Sequence, residues 1–433
     1  MSLKESENIP YVKAKNLTST SRRFIYPEDV RGLNFGLILL LLFAFFRPIT
    51  ISFHHIGSLS LLDIFGIASS YAMLIGLCFY LMRLKVEIIF IIISFYIFYC
   101  MLSLLWGSNY RDVARMILPF IPFFLVFVAV RTEAHTRYIL LALIAGYIVP
   151  ILGSVFLILA GKSDIIITGS QFARQSGLSS GVHTLGHGML FFSFVFCLYQ
   201  SLVQHEKKGT WRLFMMILLV GSFFCIYKSY TRTVMLGALI FWSIYLWSVN
   251  KKWFLILIFT GIVLGAVYYS NMQNLVLQDN HAHKKVDRLN VASSGRIELW
   301  RHNINVFGEL PLHMKLLGVG IGNEWKKVQK TQTVVVGSHN DFLQVLMMQG
   351  IIGLFLYLWL YGILMLKILF SEVNKHIKII FVGFLVAVLV MNFVSNSYIA
   401  RFQMAQLFWL FMGLFFVFNN KLFTIGRMLQ QES

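Results

Sequence analysis

Long apolar runs separated by short polar breaks fill most of the chain. They fall at 33–47, 58–82, 87–106, 113–130, 138–160, 188–204, 213–227, 233–250, 254–270, 345–370, 378–397 and 402–419. Most approach the roughly 20 residues that cross a hydrocarbon core, so the pattern predicts about twelve transmembrane helices. Among the short ones are 188–204, 213–227 and 402–419. One stretch, Asn271 to Asp341, interrupts the pattern. It carries His281, His283, Lys284, Lys285, Arg288, Arg296, Glu298, Arg301, Glu324, Lys326, Lys327 and His339, and it ends in Ser338-His339-Asn340-Asp341 against the next apolar run. Inside it, 296–304 has helical spacing, with Ile297, Trp300 and Ile304 on one face and Ser293-Ser294 placed to cap the start. That predicts a helix at the membrane surface. Gly318-Val319-Gly320-Ile321-Gly322 predicts a tight turn region. The chain divides accordingly into a tail at 1–32, spans one to nine at 33–270, a loop at 271–344, spans ten to twelve at 345–419 and a tail at 420–433.

Composition fixes the solvent. Hydrophobic residues make up 58% of the chain and charged residues 13%, against roughly 25% charge in a soluble domain. So few charges cannot cover a water-facing surface, and the chain reads as an all-α integral membrane protein. The first 32 residues are polar, with Lys4, Lys13, Lys15, Arg22, Arg23 and Arg31 and no apolar core before Leu33, so no cleavable signal peptide is read there. Cys78, Cys100, Cys197 and Cys225 all lie in apolar runs without ligand spacing, as packing residues. The net charge of +19 points to cytoplasmic loops and anionic lipid before nucleic acid.

Short basic loops set the orientation. With the N-terminus in the cytoplasm, Arg83/Lys85, Arg131/Arg137, Lys207/Lys208/Arg212, Lys251/Lys252 and Lys375/Lys378 are cytoplasmic, as are both termini. The segments 48–57, 107–112, 161–187, 228–232, 271–344 and 398–401 then face outward. The long basic loop runs against the local charge bias, which marks its cations as functional.

Three outward elements carry candidate chemistry. Lys228-Ser229-Tyr230-Thr231-Arg232-Thr233 joins two spans. Its cations could snorkel to headgroups, or Arg232, among hydroxyls, could hold a phosphate. In Ser294-Gly295-Arg296 the arginine is either a solvated loop residue or an anion contact at a helix start. His339-Asn340, nine residues before Gly350 with Gly353 one turn later, precedes an apolar helix. His339 reads as a helix-end residue or as a base near neutral pH, with Asp341 close enough in sequence to orient or replace it. Gly350 and Gly353 read as helix-packing glycines. Arg174, in the outward loop before span six, is a secondary anion contact. His183 and His187 have the four-residue spacing of a metal pair. No carboxylate accompanies them and Gly186 and Gly188 interrupt a helix there, so they are not assigned a metal.

In this order the motifs resemble the O-antigen ligase and Wzy-type polymerase superfamily. His339-Asn340 with Gly350 and Gly353 is similar to its histidine motif. Ser229 to Thr233 resembles its Ser/Thr-Arg element, Ser294-Gly295-Arg296 with Trp300 its Ser-Gly-Arg-x-x-x-Trp element, and 317–322 the glycine stretch before the histidine. The motifs span roughly 160–370. The resemblance implies a GT-C-like glycosyltransferase of the bacterial inner membrane with its site on the periplasmic face and no metal or cofactor. The implied donor is a glycan on undecaprenyl diphosphate. The implied acceptor is a sugar hydroxyl of lipid A–core for a ligase, or another lipid-linked glycan for a polymerase. Arg232 and Arg296 would bind the diphosphate, with Arg174 and Lys228 in support, and His339 would act as the base, with Asn340 and Asp341 in support. The complete set of Arg232, Arg296 and His339 favours the ligase. A flippase for an anionic lipid is the competing class, disfavoured because the cations gather on one face. A non-catalytic scaffold would tolerate alanine at all three positions.

Overall fold

The structure is a computed structural model. It describes residues 34–52, 55–56, 59–80, 87–167, 173–179, 181–202, 209–263, 296–324, 338–395 and 401–419. The predicted Ser293-Ser294 cap, His281 to Arg288, Lys326 and Lys327 and both tails lie outside the described residues.

Each apolar run contains helix among the described residues. The helices are α1 (Phe35–Ser52), α2 (Leu61–Cys78), α3 (Ile88–Leu102), α4 (Tyr110–Ile117), α5 (Ile121–Ala129), α6 (Glu133–Leu159), α7 (Val182–Leu202), α8 (Gly209–Ser229), α9 (Arg232–Val249) and α10 (251–263). After the loop follow α11 (Arg296–Glu309), α12 (Leu312–Leu317), α13 (Asp341–Leu369), α14 (Lys375–Val394) and α15 (Phe402–Phe418). Two hairpins, β1 (His55–Ile56) with β2 (Leu59–Ser60) and β3 (Ile165–Ile167) with β4 (Ala173–Gln175), are antiparallel. Among the described residues, eight helical stretches are long and apolar enough to cross a membrane, 110–129 joining α4 and α5; α1, α2 and α15 offer shorter apolar stretches. The described residues thus bear out a multi-span helical protein, with eight candidate spans against the twelve expected. The two mid-chain runs that look short in sequence become 21-residue helices because α7 and α8 extend into the polar segments beside them.

Burial separates two kinds of helix. α7 and α15 are buried on every side and form the centre. Phe191, Phe194, Phe381, Phe384, Phe408 and Phe411 stack there at centroid distances of 4.3–6.1 Å. Helices such as α3 and α8 leave Phe95, Phe98, Ile217 and Val220 exposed on one side. In a bilayer that side meets lipid, which costs nothing to an apolar side chain. Gly186 does not interrupt a helix, contrary to the sequence expectation. It lies inside α7, and a Cβ there would come within 3.1 Å of Ser229 Oγ and 3.2 Å of Val234. The glycine lets α7 press against the α8–α9 turn.

Gly350 overturns another expectation. It is no helix-packing glycine. Its φ of 67° and ψ of −168° break α13 into an eight- or nine-residue N-terminal piece and a long apolar piece, a conformation essentially restricted to glycine. The break frees carbonyls that a continuous helix would satisfy within itself, and the glycine segment takes them up. Val319 N–H donates to Met347 O and Gly320 N–H to Met348 O, both at 3.0 Å. The Tyr99 hydroxyl donates to Gln349 O at 2.7 Å. Gly318 (φ 83°) and Gly350 lie so close that a Cβ on either would fall on the other segment's backbone. Gly353 does serve close packing: its Cβ would press on Gln349 and on Tyr99, at 3.0 Å.

Candidate active site

Five helices begin at one end of the bundle, around one point. α7 starts at Val182, α9 at Arg232, α11 at Arg296, α13 at Asp341 and α15 at Phe402. A helix N-terminus presents unpaired N–H groups and a partial positive charge, so their convergence favours an anion even before side chains are counted. At the opposite end, Arg137 and Lys378 cover carbonyls of Leu202 and Leu369, at 3.1 Å each.

The turn between α8 and α9 sets Arg232. Tyr230 there has a φ of 44°, and His339 has 47°; among the described residues these are the only non-glycine positive values. Such backbone costs on the order of 1–3 kcal/mol and persists where surroundings impose it. Here Arg174 Nη2 donates to Tyr230 O at 3.3 Å, and Thr231 Oγ1 donates to Val182 O at 3.3 Å. Two of the hydroxyls around Arg232 serve the backbone: Ser229 Oγ donates to Ile226 O at 2.8 Å, Thr231 Oγ1 to Val182 O, and both residues are fully buried. Lys228 sits over the rings of Phe224 and Tyr227, 5.9 and 6.0 Å from their centroids. That is the snorkelling arrangement, along its own helix.

α11 explains the Ser-Gly-Arg-x-x-x-Trp spacing. Arg296 and Trp300 are one turn apart and share a face. Arg296 Nη1 donates to Val394 O at the end of α14, and Trp300 Nε1 donates to Ser338 O at 2.9 Å. Trp300 also packs on Phe393, with centroids 5.5 Å apart. The buried residues of α11 are Leu299 and Asn303, whereas Ile304 is exposed, so the predicted apolar face is rotated. Ser338 is thus pinned from one side and also donates from Oγ to Asn340 O at 2.9 Å. Asn340 caps α13 by accepting from Leu343 N–H at 3.0 Å. His339 hangs between these two fixed residues, half-buried. Asp341 begins the helix fully buried, within electrostatic reach of Tyr357 and Tyr361.

The electrostatics tie the pieces together. Burial, then the charges of Arg232 and Arg174, lower the proton affinity of Arg296. Arginine nonetheless stays protonated. Burial first, then Arg296 and Arg401, hold His339 below its ordinary value of 6.5. A neutral imidazole at pH 7 is the form that can accept a proton. The structure thus brings Arg174, Arg232, Arg296 and His339 together. It leaves Lys228 turned aside and places Asn340 and Asp341 in the helix start below the histidine.

One group escaped the sequence reading. Arg401 lies at the start of α15, with Nη1 2.8 Å from Nδ1 and 3.3 Å from Nε2 of His187. His183, one turn earlier, lies among Arg401, Arg174, Arg296 and His339. The signal for Arg401 was an arginine in a short loop that the charge bias predicts to face outward. A guanidinium at His187 also explains the histidine pair without a metal. Glu324 was seen but not assigned. It is buried beside Gln344, whose Nε2 donates to it at 3.3 Å, and burial pushes its carboxyl up to about 7.

No curated protein matches the chain. Residues 214–358 match the model of the family described as O-antigen ligase. That third of the chain contains Arg232, Arg296 and His339 but neither Arg174 nor Arg401, and the match supports a place in the O-antigen ligase and Wzy-type polymerase superfamily.

Proposed function

We propose that the protein is a GT-C-like glycosyltransferase that moves a glycan from undecaprenyl diphosphate to a sugar hydroxyl of lipid A–core, on the periplasmic face of a bacterial inner membrane. The observation that carries this reading is the meeting of Arg174, Arg232 and Arg296 with His339 at one end of the bundle, where five helices begin. Arginine forks suit phosphate oxygens and hold their charge at any physiological pH. As the sugar C1–O bond breaks, its electron pair goes to the diphosphate, and Arg232 and Arg296 stabilise the growing charge. The acceptor oxygen forms the new bond to C1 and gives its proton to neutral His339. Attack from the face opposite the leaving group inverts C1. An anionic donor beside Arg296 offsets the cations that hold His339 neutral, so the imidazole gains proton affinity when donor is in place.

The family domain and the residue set favour ligation; a polymerase joining lipid-linked repeats would use the same groups. Deleting the gene separates the two. Absence of all polymer on lipid A–core, with long lipid-linked polymer accumulating, supports the ligase. A single repeat on the core supports the polymerase. Complementation with Arg232→Ala, Arg296→Ala or His339→Ala should fail while the protein still reaches the membrane. Near-normal transfer by His339→Ala would place the base elsewhere.

A further inference from the structure

We propose that Glu324 is a positioning residue for His339: its protonated carboxyl closes a two-bond pair with the Gln344 amide, and the pair holds the first turn of α13, which follows directly on the histidine. This inference rests on the transferase reading above and deepens it with a residue that touches no substrate.

The place of Glu324 is built by two loops laced together. Asn109 N–H donates to Ile321 O at 2.9 Å, Ile321 N–H to Ser108 Oγ at 2.7 Å, and Asn323 Nδ2 to Gly107 O. A Cβ on Gly322 would fall on the Asp112 carboxylate, so glycine lets the turn come this close to α4. Glu324 follows that turn directly and is only 5% exposed.

From Glu324 a run of hydrogen bonds leads to the residue beside the base. Gln344 Nε2 donates to Glu324 Oε1 at 3.3 Å. Gln344 N–H donates to Asn340 O at 3.0 Å, and Asn340 Oδ1 accepts from Leu343 N–H. Asn340 is bonded through the chain to His339, whose backbone is held at a φ of 47°.

One bond of the Glu324–Gln344 pair is missing. Glu324 Oε2 and Gln344 Oε1 are both buried, and among the described residues neither has a hydrogen-bond partner. Both are acceptors, and they sit on the two groups that the existing bond already joins. Buried acceptors left unmet are costly. A single proton on Oε2 satisfies both: the carboxyl then donates to Gln344 Oε1 while it accepts from Gln344 Nε2. The surroundings favour that proton. Asp112 faces Glu324 from α4, with Arg115 3.9 Å from it, and Asp341 lies fully buried one turn before Gln344 on α13. A further negative charge beside two acids is disfavoured. Burial, with Asp112 in support, pushes the carboxyl up to about 7, against the Gln344 amide and the N–H groups of Glu324 and Gly322. The proton is bound below that pH and lost to water above it.

The test measures kcat and KM for glycan transfer from well below to well above pH 7, with full-length protein in nanodiscs. Wild type should lose kcat by roughly twofold to tenfold as pH rises past 7, the worth of one hydrogen bond, with donor KM little changed. Glu324→Gln places an N–H where the proton sat, so the pair stays closed and the alkaline loss should vanish. Glu324→Ala should show the lowered kcat at every pH. Infrared difference spectra should show a carboxyl band that titrates in wild type and is absent from Glu324→Gln. An alkaline limb that persists in Glu324→Gln, or a wild type without one, overturns the inference. If the Glu324 variants do not fold, Gln344→Met keeps the side-chain length and removes the amide, and a wild-type profile there overturns it. Transfer by wild type with none of these effects leaves the transferase reading standing. A carboxyl band that titrates in wild type and vanishes in Glu324→Gln, in a protein that transfers no glycan, supports the pair and removes that reading.

Discussion

Gly350→Ala is the sharpest test of how the histidine is held. The substitution adds one methyl group at φ 67°, ψ −168°. That conformation costs a non-glycine residue on the order of 1–3 kcal/mol. The methyl also meets backbone: the Leu316 carbonyl oxygen and, at 2.5 Å, the Gly318 nitrogen. Backbone cannot swing aside as a side chain can, so the glycine segment must lift. Lifting it gives up the bonds from Val319 to Met347 and Gly320 to Met348, at about 1 kcal/mol each. The sum is about 3–5 kcal/mol, a large share of a typical stability of about 5–15 kcal/mol. If α13 instead straightens, the piece bearing Asn340 and His339 is redirected and the site opens. Gly362→Ala in the same helix is the control: its Cβ meets nothing within 4 Å, and alanine should gain roughly 0.5–1 kcal/mol there. Both variants are solubilised, heated and scored by size-exclusion fluorescence, and tested for glycan transfer in a deletion strain. Gly350→Ala should melt well below wild type and lose transfer, while Gly362→Ala should do neither. Wild-type melting and transfer by Gly350→Ala would refute the reasoning.

Transfer should fall as pH drops below the ordinary histidine range, since His339 must be neutral and its neighbours already hold it below 6.5. A pH–rate profile without an acid limb would remove His339 as the base. Glu324→Gln should stabilise the protein at pH 8. A carboxyl raised from 4.5 to about 7 is protonated more readily folded than unfolded, so its stabilising contribution is present below pH 4.5 and lost as pH rises to 7. The loss is on the order of 3 kcal/mol. The gain in melting temperature should shrink towards pH 5, and a gain that does not depend on pH would show that the carboxyl is not the cause. Trp300→Phe keeps the ring against Phe393 but removes the donor to Ser338, at a cost of about 1 kcal/mol. Transfer should drop several-fold with membrane insertion unchanged, and wild-type transfer would show that this bond does not position His339.

The apolar runs determined the helices, because an apolar stretch in lipid must satisfy its own backbone and the α-helix does so locally. The order Arg232, Arg296, His339 was likewise legible, since each lies at a helix start marked by local motifs. The uses of Gly350, Ser229 and Arg401 were not. Gly350 read as helix packing because a helix break is visible only through the partners of the freed carbonyls, and those lie some thirty residues away in the glycine segment. Ser229 read as part of a hydroxyl setting for Arg232 because its choice between a ligand and its own backbone depends on which way a buried hydroxyl turns. Arg401, beyond the end of the matched segment at residue 358, went unassigned in the 398–401 loop. Only packing α15 against α2 and α7 set it beside His187 and the base. Sequence thus determined which segments are apolar enough to enter a membrane and which cations stand at helix starts. Tertiary structure alone decided which of those cations share one site, because Coulomb forces and hydrogen bonds act over ångströms in space and not along the chain.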